Sequence, residues 1–161
     1  MKKYGIELKW GVLFTVMMLL WMLLEKGLGW HDEFIGKHAL YTNFVALPAI
    51  AFYVVALIDK RKNYYNGTMS YLQGFLSGVI ISLVVMILSP LSQVITFMFI
   101  TPDYFEHIIQ YTVEQNHMTL EQAENYFNLS NYIRQSTLFA PLMGIATSAI
   151  VAVFVKRKAK P

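Results

Sequence analysis

From residue 63 to residue 102 the chain runs forty residues without an Asp, Glu, Lys or Arg. The apolar centre of this stretch, 71–100, would extend about 45 Å as a helix, beyond the roughly 30 Å hydrocarbon core of a bilayer. A water-soluble domain has little use for such a segment. The spacing predicts a membrane-spanning helix, and three further apolar runs predict company for it. One follows Lys9 and is free of charge from Trp10 to Leu24; another covers 39–58; the last lies between Arg134 and Lys156. Only 14% of the residues are charged and 56% are hydrophobic, against roughly 25% charged in soluble domains.

The expected fold is an all-α membrane protein, a single four-span membrane domain over 1–161. The spans are placed at about 6–28, 39–58, 71–100 and 134–155, with a short helical extracytoplasmic cap at 101–131. The basic N-terminus also fits a signal peptide, but no small-x-small cleavage site follows Glu25, so the first span is expected to be retained. Lys9 and Lys26 are expected to snorkel. Pro48, near the middle of the second span, is expected to kink it. Ser70 with Gln73 has the spacing of a capping box and starts the third helix at Tyr71. Gly74 and Gly78 form a small-xxx-small pair suited to close helix packing, within the bundle or across a homodimer seam. Pro90 frees the carbonyl of Met86, which neighbouring Ser89, Ser92 and Gln93 could satisfy. In the cap, Thr101, Pro102 and Asp103 signal one helix start, and Thr119 with Gln122 another. Phe105, Ile108, Ile109, Thr112 and Val113 define the apolar face of the first cap helix.

Four spans put both termini on one side. Ten basic residues lie there: Lys2, Lys3, Lys9, Lys60, Arg61, Lys62, Lys156, Arg157, Lys158 and Lys160. Three lie opposite: Lys26, Lys37 and Arg134. The positive-inside rule makes the termini cytoplasmic. It predicts a multi-pass membrane protein, with Lys60, Arg61, Lys62, Lys156, Arg157 and Lys158 facing anionic lipid headgroups and no role for nucleic acid. All four histidines then fall on the outer side.

Several runs carry a family resemblance. They are Leu24-Glu25-Lys26 with His31-Asp32; His38 with Tyr41-Thr42-Asn43-Phe44; Asp59-Lys60-Arg61-Lys62; Gly74-Phe75 with Gly78; Ser89-Pro90-Leu91; Thr101-Pro102 with Tyr104-Phe105; and Met118-Thr119 with Ala123-Glu124 and Tyr126-Phe127. In order and spacing the chain resembles the bacterial integral membrane family catalogued as domain of unknown function 4199. The resemblance covers about residues 4–155. It implies a small four-span membrane protein and carries no reaction, ligand or functional residue.

Chemistry is sparse. The absence of cysteine excludes disulfides, thiolate nucleophiles and Cys-based zinc sites. Ser77, Ser82, Ser89 and Ser92 lie in a span with no acid or base expected beside them, and no phosphate-cradling glycine loop is present. The expectation is a non-enzymatic protein without a cofactor, acting as a structural or accessory subunit. One alternative is a small homo-oligomeric transporter or channel with a water-accessible cavity lined by Asn43, Ser89 and Gln93, the helix-kink polar group being Ser89, Pro90 and Gln93. A second is a metal- or pH-sensing outer site, a polar cluster at the outer mouth made of Glu25, His31, His38 and Asn43. His31 and His38 are seven residues apart, a spacing a helix could align on one face. In this second alternative His38 hydrogen-bonds Glu25. Ordinary solvated loop chemistry is the favoured account of these outer histidines.

Overall fold

The computed structural model describes residues 4–157, so Lys2, Lys3, Lys158 and Lys160 lie outside the described residues. Seven α-helices succeed one another: α1 (Gly5–Gly27), α2 (His38–Tyr41), α3 (Ala46–Asn63), α4 (Tyr71–Ile95), α5 (Tyr104–Glu114), α6 (Leu120–Tyr126) and α7 (Leu129–Val155). Short 3-10 turns at Ile35–Lys37 and Thr42–Val45 join α2 to its neighbours, and a π-turn at Thr96–Ile100 extends α4. Four continuous helical segments are long and apolar enough to cross a membrane: Gly5–Gly27, Ile35–Asn63, Tyr71–Ile100 and Leu129–Val155. The chain is therefore an all-helical, multi-pass membrane protein. Its outer surface agrees: Leu47, Ile87, Phe99 and Phe154 are each at least 70% exposed, a distribution suited to lipid rather than water.

α4 is the central rod, packing most extensively on α7 and next on α1. Small residues make the approach possible. A side chain at Gly78 would overlap Ser148, and one at Gly74 would crowd Met69 and Ala152. Gly144 of α7 faces Ser82 and Tyr53 in the same way, and Gly11 of α1 faces Val84. The small-xxx-small pair thus works inside one bundle. Leu57, Ile81, Val151 and Ala152 fill the core beside it.

Prolines act locally. The Ser89 hydroxyl donates to the Met86 carbonyl at 3.0 Å, the group that Pro90 leaves without its helical partner, and also meets Thr137 of α7 at 3.2 Å. Gln93 lies half-buried one turn further on. Pro48 sits in the first turn of α3, near the middle of the continuous Ile35–Asn63 segment, and the helix is irregular just ahead of it, at the 3-10 turn Thr42–Val45.

Other boundaries also shift. The second span continues to Asn63 rather than stopping at 58, because its terminal charges find partners inside the protein. Asp59 pairs with Lys9 and accepts from Trp10 Nε1 at 2.6 Å; Arg61 donates to the Val155 carbonyl at 2.7 Å. α7 begins at Leu129 rather than 134, since Asn128 caps it by accepting from Asn131 N at 3.0 Å. The capping boxes at Ser70 and Thr119 form as expected, whereas α5 starts after Asp103 instead of at a Thr101 cap. Its buried face carries Tyr104, Phe105, Ile108, Tyr111 and Thr112, so Phe105, Ile108 and Thr112 of the apolar face expected lie on it, with Tyr104 and Tyr111 beside them.

Near the chain termini, Lys60 reaches Glu7 at 2.8 Å with both side chains almost wholly buried. Ser77 of α4 donates to the same carboxylate at 2.7 Å, and the Lys60 ammonium lies 3.8 Å from the centre of the Tyr64 ring. This corrects two expectations. Lys60 does not face lipid, and a span serine does have an acidic neighbour, because helix packing folds the end of α1 inward. Met69 and Arg157 close this end with a pair of backbone hydrogen bonds, at 2.9 and 2.8 Å. Glu7→Gln should destabilise the protein by about 3–5 kcal/mol, since it leaves a buried ammonium without a counter-charge, whereas a Glu7→Met, Lys60→Met double variant should recover most of the loss. Thermal unfolding in detergent reads both.

Candidate functional site

The opposite end of the bundle holds the chemistry. Glu25 lies in the last turn of α1, fully buried. Trp21, one turn earlier on the same face, donates its indole N–H to Oε1. Beyond α1 the chain doubles back through a turn whose Gly29 has φ of 72°, a conformation that glycine adopts without cost. That reversal drops His31 inward until it is fully buried, with Nε2 at 3.0 Å from Glu25 Oε2. The 3-10 turn at Ile35–Lys37 then delivers His38 at the head of α2, its Nε2 at 3.1 Å from the same oxygen. Thr42 also reaches the carboxylate.

Two imidazoles therefore share one carboxylate oxygen. With His38 donating from Nε2, its Nδ1 is an acceptor, and the Tyr104 hydroxyl donates to it at 3.2 Å. Tyr104 in turn meets the Tyr132 hydroxyl of α7 at 3.3 Å. His31 Nδ1 has no hydrogen-bond partner among the described residues. Aromatic rings enclose the group: Trp30 packs on Trp21 and Tyr41, and Tyr104 packs on both histidines and on Phe97. From α5, His107 fastens the turn through the His31 carbonyl at 3.1 Å and Asp32 at 2.8 Å. Lys26 donates to the Ile100 carbonyl, tying α1 to the end of the third span.

Glu25, His31 and His38 thus form one buried centre. Asn43 does not belong to it: this exposed residue turns its amide to the Ala39 carbonyl at 2.6 Å. Ser89, Pro90 and Gln93 lie in the body of α4 and form a separate feature. Solvated loop chemistry is overturned for His31 because the Gly29 turn and the surrounding rings exclude water. The two histidines meet through a reversal of the chain, not through a shared helix face. Trp21 and Tyr104 were not anticipated as members. Trp21 stands four residues before Glu25, a helical spacing that pointed to it; Tyr104 is brought in by the docking of α5, which leaves no such trace. The three ligand-type atoms lie within 4.8 Å of one another, close enough to share an ion.

Burial pushes the Tyr104 hydroxyl well above the ordinary tyrosine range, reinforced by neighbouring Tyr132 and Glu25. A folded-state pKa above the unfolded one means that the unfolded chain loses this proton first. Stability should therefore fall above about pH 10, by up to about 1.4 kcal/mol per pH unit from this group, and Tyr104→Phe should flatten that alkaline limb. Unfolding midpoints of the two proteins across the alkaline range test this. Searches of curated proteins and of solved structures find no match to the chain. The family described as Protein of unknown function (DUF4199) matches residues 9–157, nearly the whole length, and the chain belongs to that family.

Proposed function

We propose that this chain is a non-enzymatic protein of a bacterial inner membrane, a structural or accessory subunit with both termini in the cytoplasm. One observation carries the reading: polar groups buried between the spans are used to join helices. Glu7, Lys60 and Ser77 join α1, α3 and α4; Tyr53 and Ser82 meet at 2.8 Å between α3 and α4; Ser89 and Thr137 join α4 to α7. Intramembrane polar groups engaged in this way hold a bundle together, whereas a conducting path needs them facing water. The transporter alternative asks Asn43, Ser89 and Gln93 to share a cavity, but Asn43 is exposed and Ser89 is engaged between helices. An active-site role for Ser77 lacks support too: the residue is buried, and the carboxylate beside it is already held by Lys60.

The charge asymmetry supports the orientation, since basic residues crowd the end bearing the termini. Lys62, Lys156 and Arg157 are exposed there and suit anionic headgroups, at about 1 kcal/mol each. Single cysteines at Thr68 and Asn116, introduced into this cysteine-free chain, should label from opposite faces of intact cells, with Thr68 inside. Crosslinking in native membranes should capture a membrane-protein partner in fixed ratio. Solute flux in proteoliposomes that Pro90→Ala abolishes would replace the accessory reading with the transporter one.

A further inference from the structure

We infer that Glu25, His31 and His38 bind one divalent transition-metal ion of the zinc class. The inference goes beyond the accessory reading, which stands or falls with partners and flux and not with an ion.

The donor set comes first. Two neutral imidazoles and a carboxylate are a standard set for Zn²⁺, whereas Mg²⁺ and Ca²⁺ require several oxygens and would meet a single carboxylate here. The geometry comes next. Ligand bonds of about 2.0–2.1 Å at tetrahedral angles place donor atoms roughly 3.3 Å apart. The two nitrogens stand 3.0 and 3.1 Å from Glu25 Oε2, a few tenths of an ångström short of that spacing, and all three donor atoms lie within 4.8 Å of one another, so small side-chain movements bring them onto one ion. Both imidazoles already present Nε2 to the common point.

The supporting groups match a metal centre as well. Trp21 holds the second carboxylate oxygen, and Tyr104 holds the far nitrogen of His38, the kind of outer contact that orients a metal ligand. When His38 gives Nε2 to an ion, its Nδ1 carries the proton and donates to the Tyr104 oxygen, whose own O–H then turns to donate a hydrogen bond to the Tyr132 oxygen. His31 is fully buried with Nε2 aimed at the Glu25 carboxylate, so the donor set is shielded from competing water. His38 keeps 15% of its side chain exposed, which leaves an approach. The three donors come from the end of α1, the reversing turn and the head of α2, so an ion would staple these segments together.

The test uses the full chain, purified in detergent through a tag without histidine and stripped with a chelator. Calorimetry should read one Zn²⁺ per chain, with no saturable heat from Mg²⁺ or Ca²⁺. Affinity should fall at least about tenfold between about pH 7.5 and pH 5.5, because protons compete for the imidazoles. X-ray absorption of wild-type protein loaded with one equivalent of Zn²⁺ should show two imidazole ligands. His38→Ala should weaken binding by at least about a hundredfold, while His117→Ala, an exposed histidine on α5's trailing loop, should leave it unchanged. Absence of saturable Zn²⁺ heat from the wild-type protein overturns the inference. So does binding that survives His38→Ala, or a bound zinc with fewer than two imidazoles. The absorption measurement decides alone if His38→Ala does not fold.

Discussion

A carboxylate withdrawn from water must find protons or positive charge close by, and α1 carries such a carboxylate at each end. Desolvating one costs several kcal/mol unless hydrogen bonds or counter-charges offset it. Glu7 is answered by the Lys60 ammonium and the Ser77 hydroxyl. Glu25 is answered by Trp21, His31 and His38. These answers come from other parts of the chain, so each carboxylate draws its neighbours into place. Glu7 brings the end of α3 and the start of α4 onto α1. Glu25 brings the reversing turn and the head of α2 onto it, and through His38 and Tyr104 it reaches the docked helix α5.

Between these two ends the bundle relies on contact rather than charge. Lipid is as apolar as leucine, so burying more leucine would not by itself drive the helices together. Gly78 against Ser148, and Gly144 against Ser82 and Tyr53, bring α4 close to its neighbours. The hydroxyls of Ser82 and Ser148 also return to carbonyls of their own helices, at Gly78 and Gly144, so no proton is stranded. The two ends differ in chemistry. One is closed by the Lys60–Glu7 ion pair; the other is built from two imidazoles that share one carboxylate oxygen.

Much of the architecture could be read in the residues because membrane spans announce themselves through length and lack of charge. The long apolar run ending at Ile100, the capping boxes at Ser70 and Thr119, and the small residues Gly74 and Gly78 each state a local rule that the fold obeys. The candidate site was legible only in part. Glu25 with His38 could be paired by their places at neighbouring span ends. Burial of His31 could not, since Asp32, Glu33 and Lys37 around it give the segment the look of a solvated loop. Asn43 was misassigned because position in a span does not reveal which way a helix turns.

By itself, the order of apolar and charged residues determined the number of spans, their helical nature and the crowding of positive charge at one end, since each follows from the cost of placing backbone and charge in hydrocarbon. Only the tertiary structure decided that Lys60 faces Glu7 instead of lipid and that His31 and His38 converge on a single oxygen of Glu25. Those outcomes depend on helix rotation and on the reversal at Gly29. Rotation is set by packing between segments far apart in the chain, and no local pattern of residues encodes it.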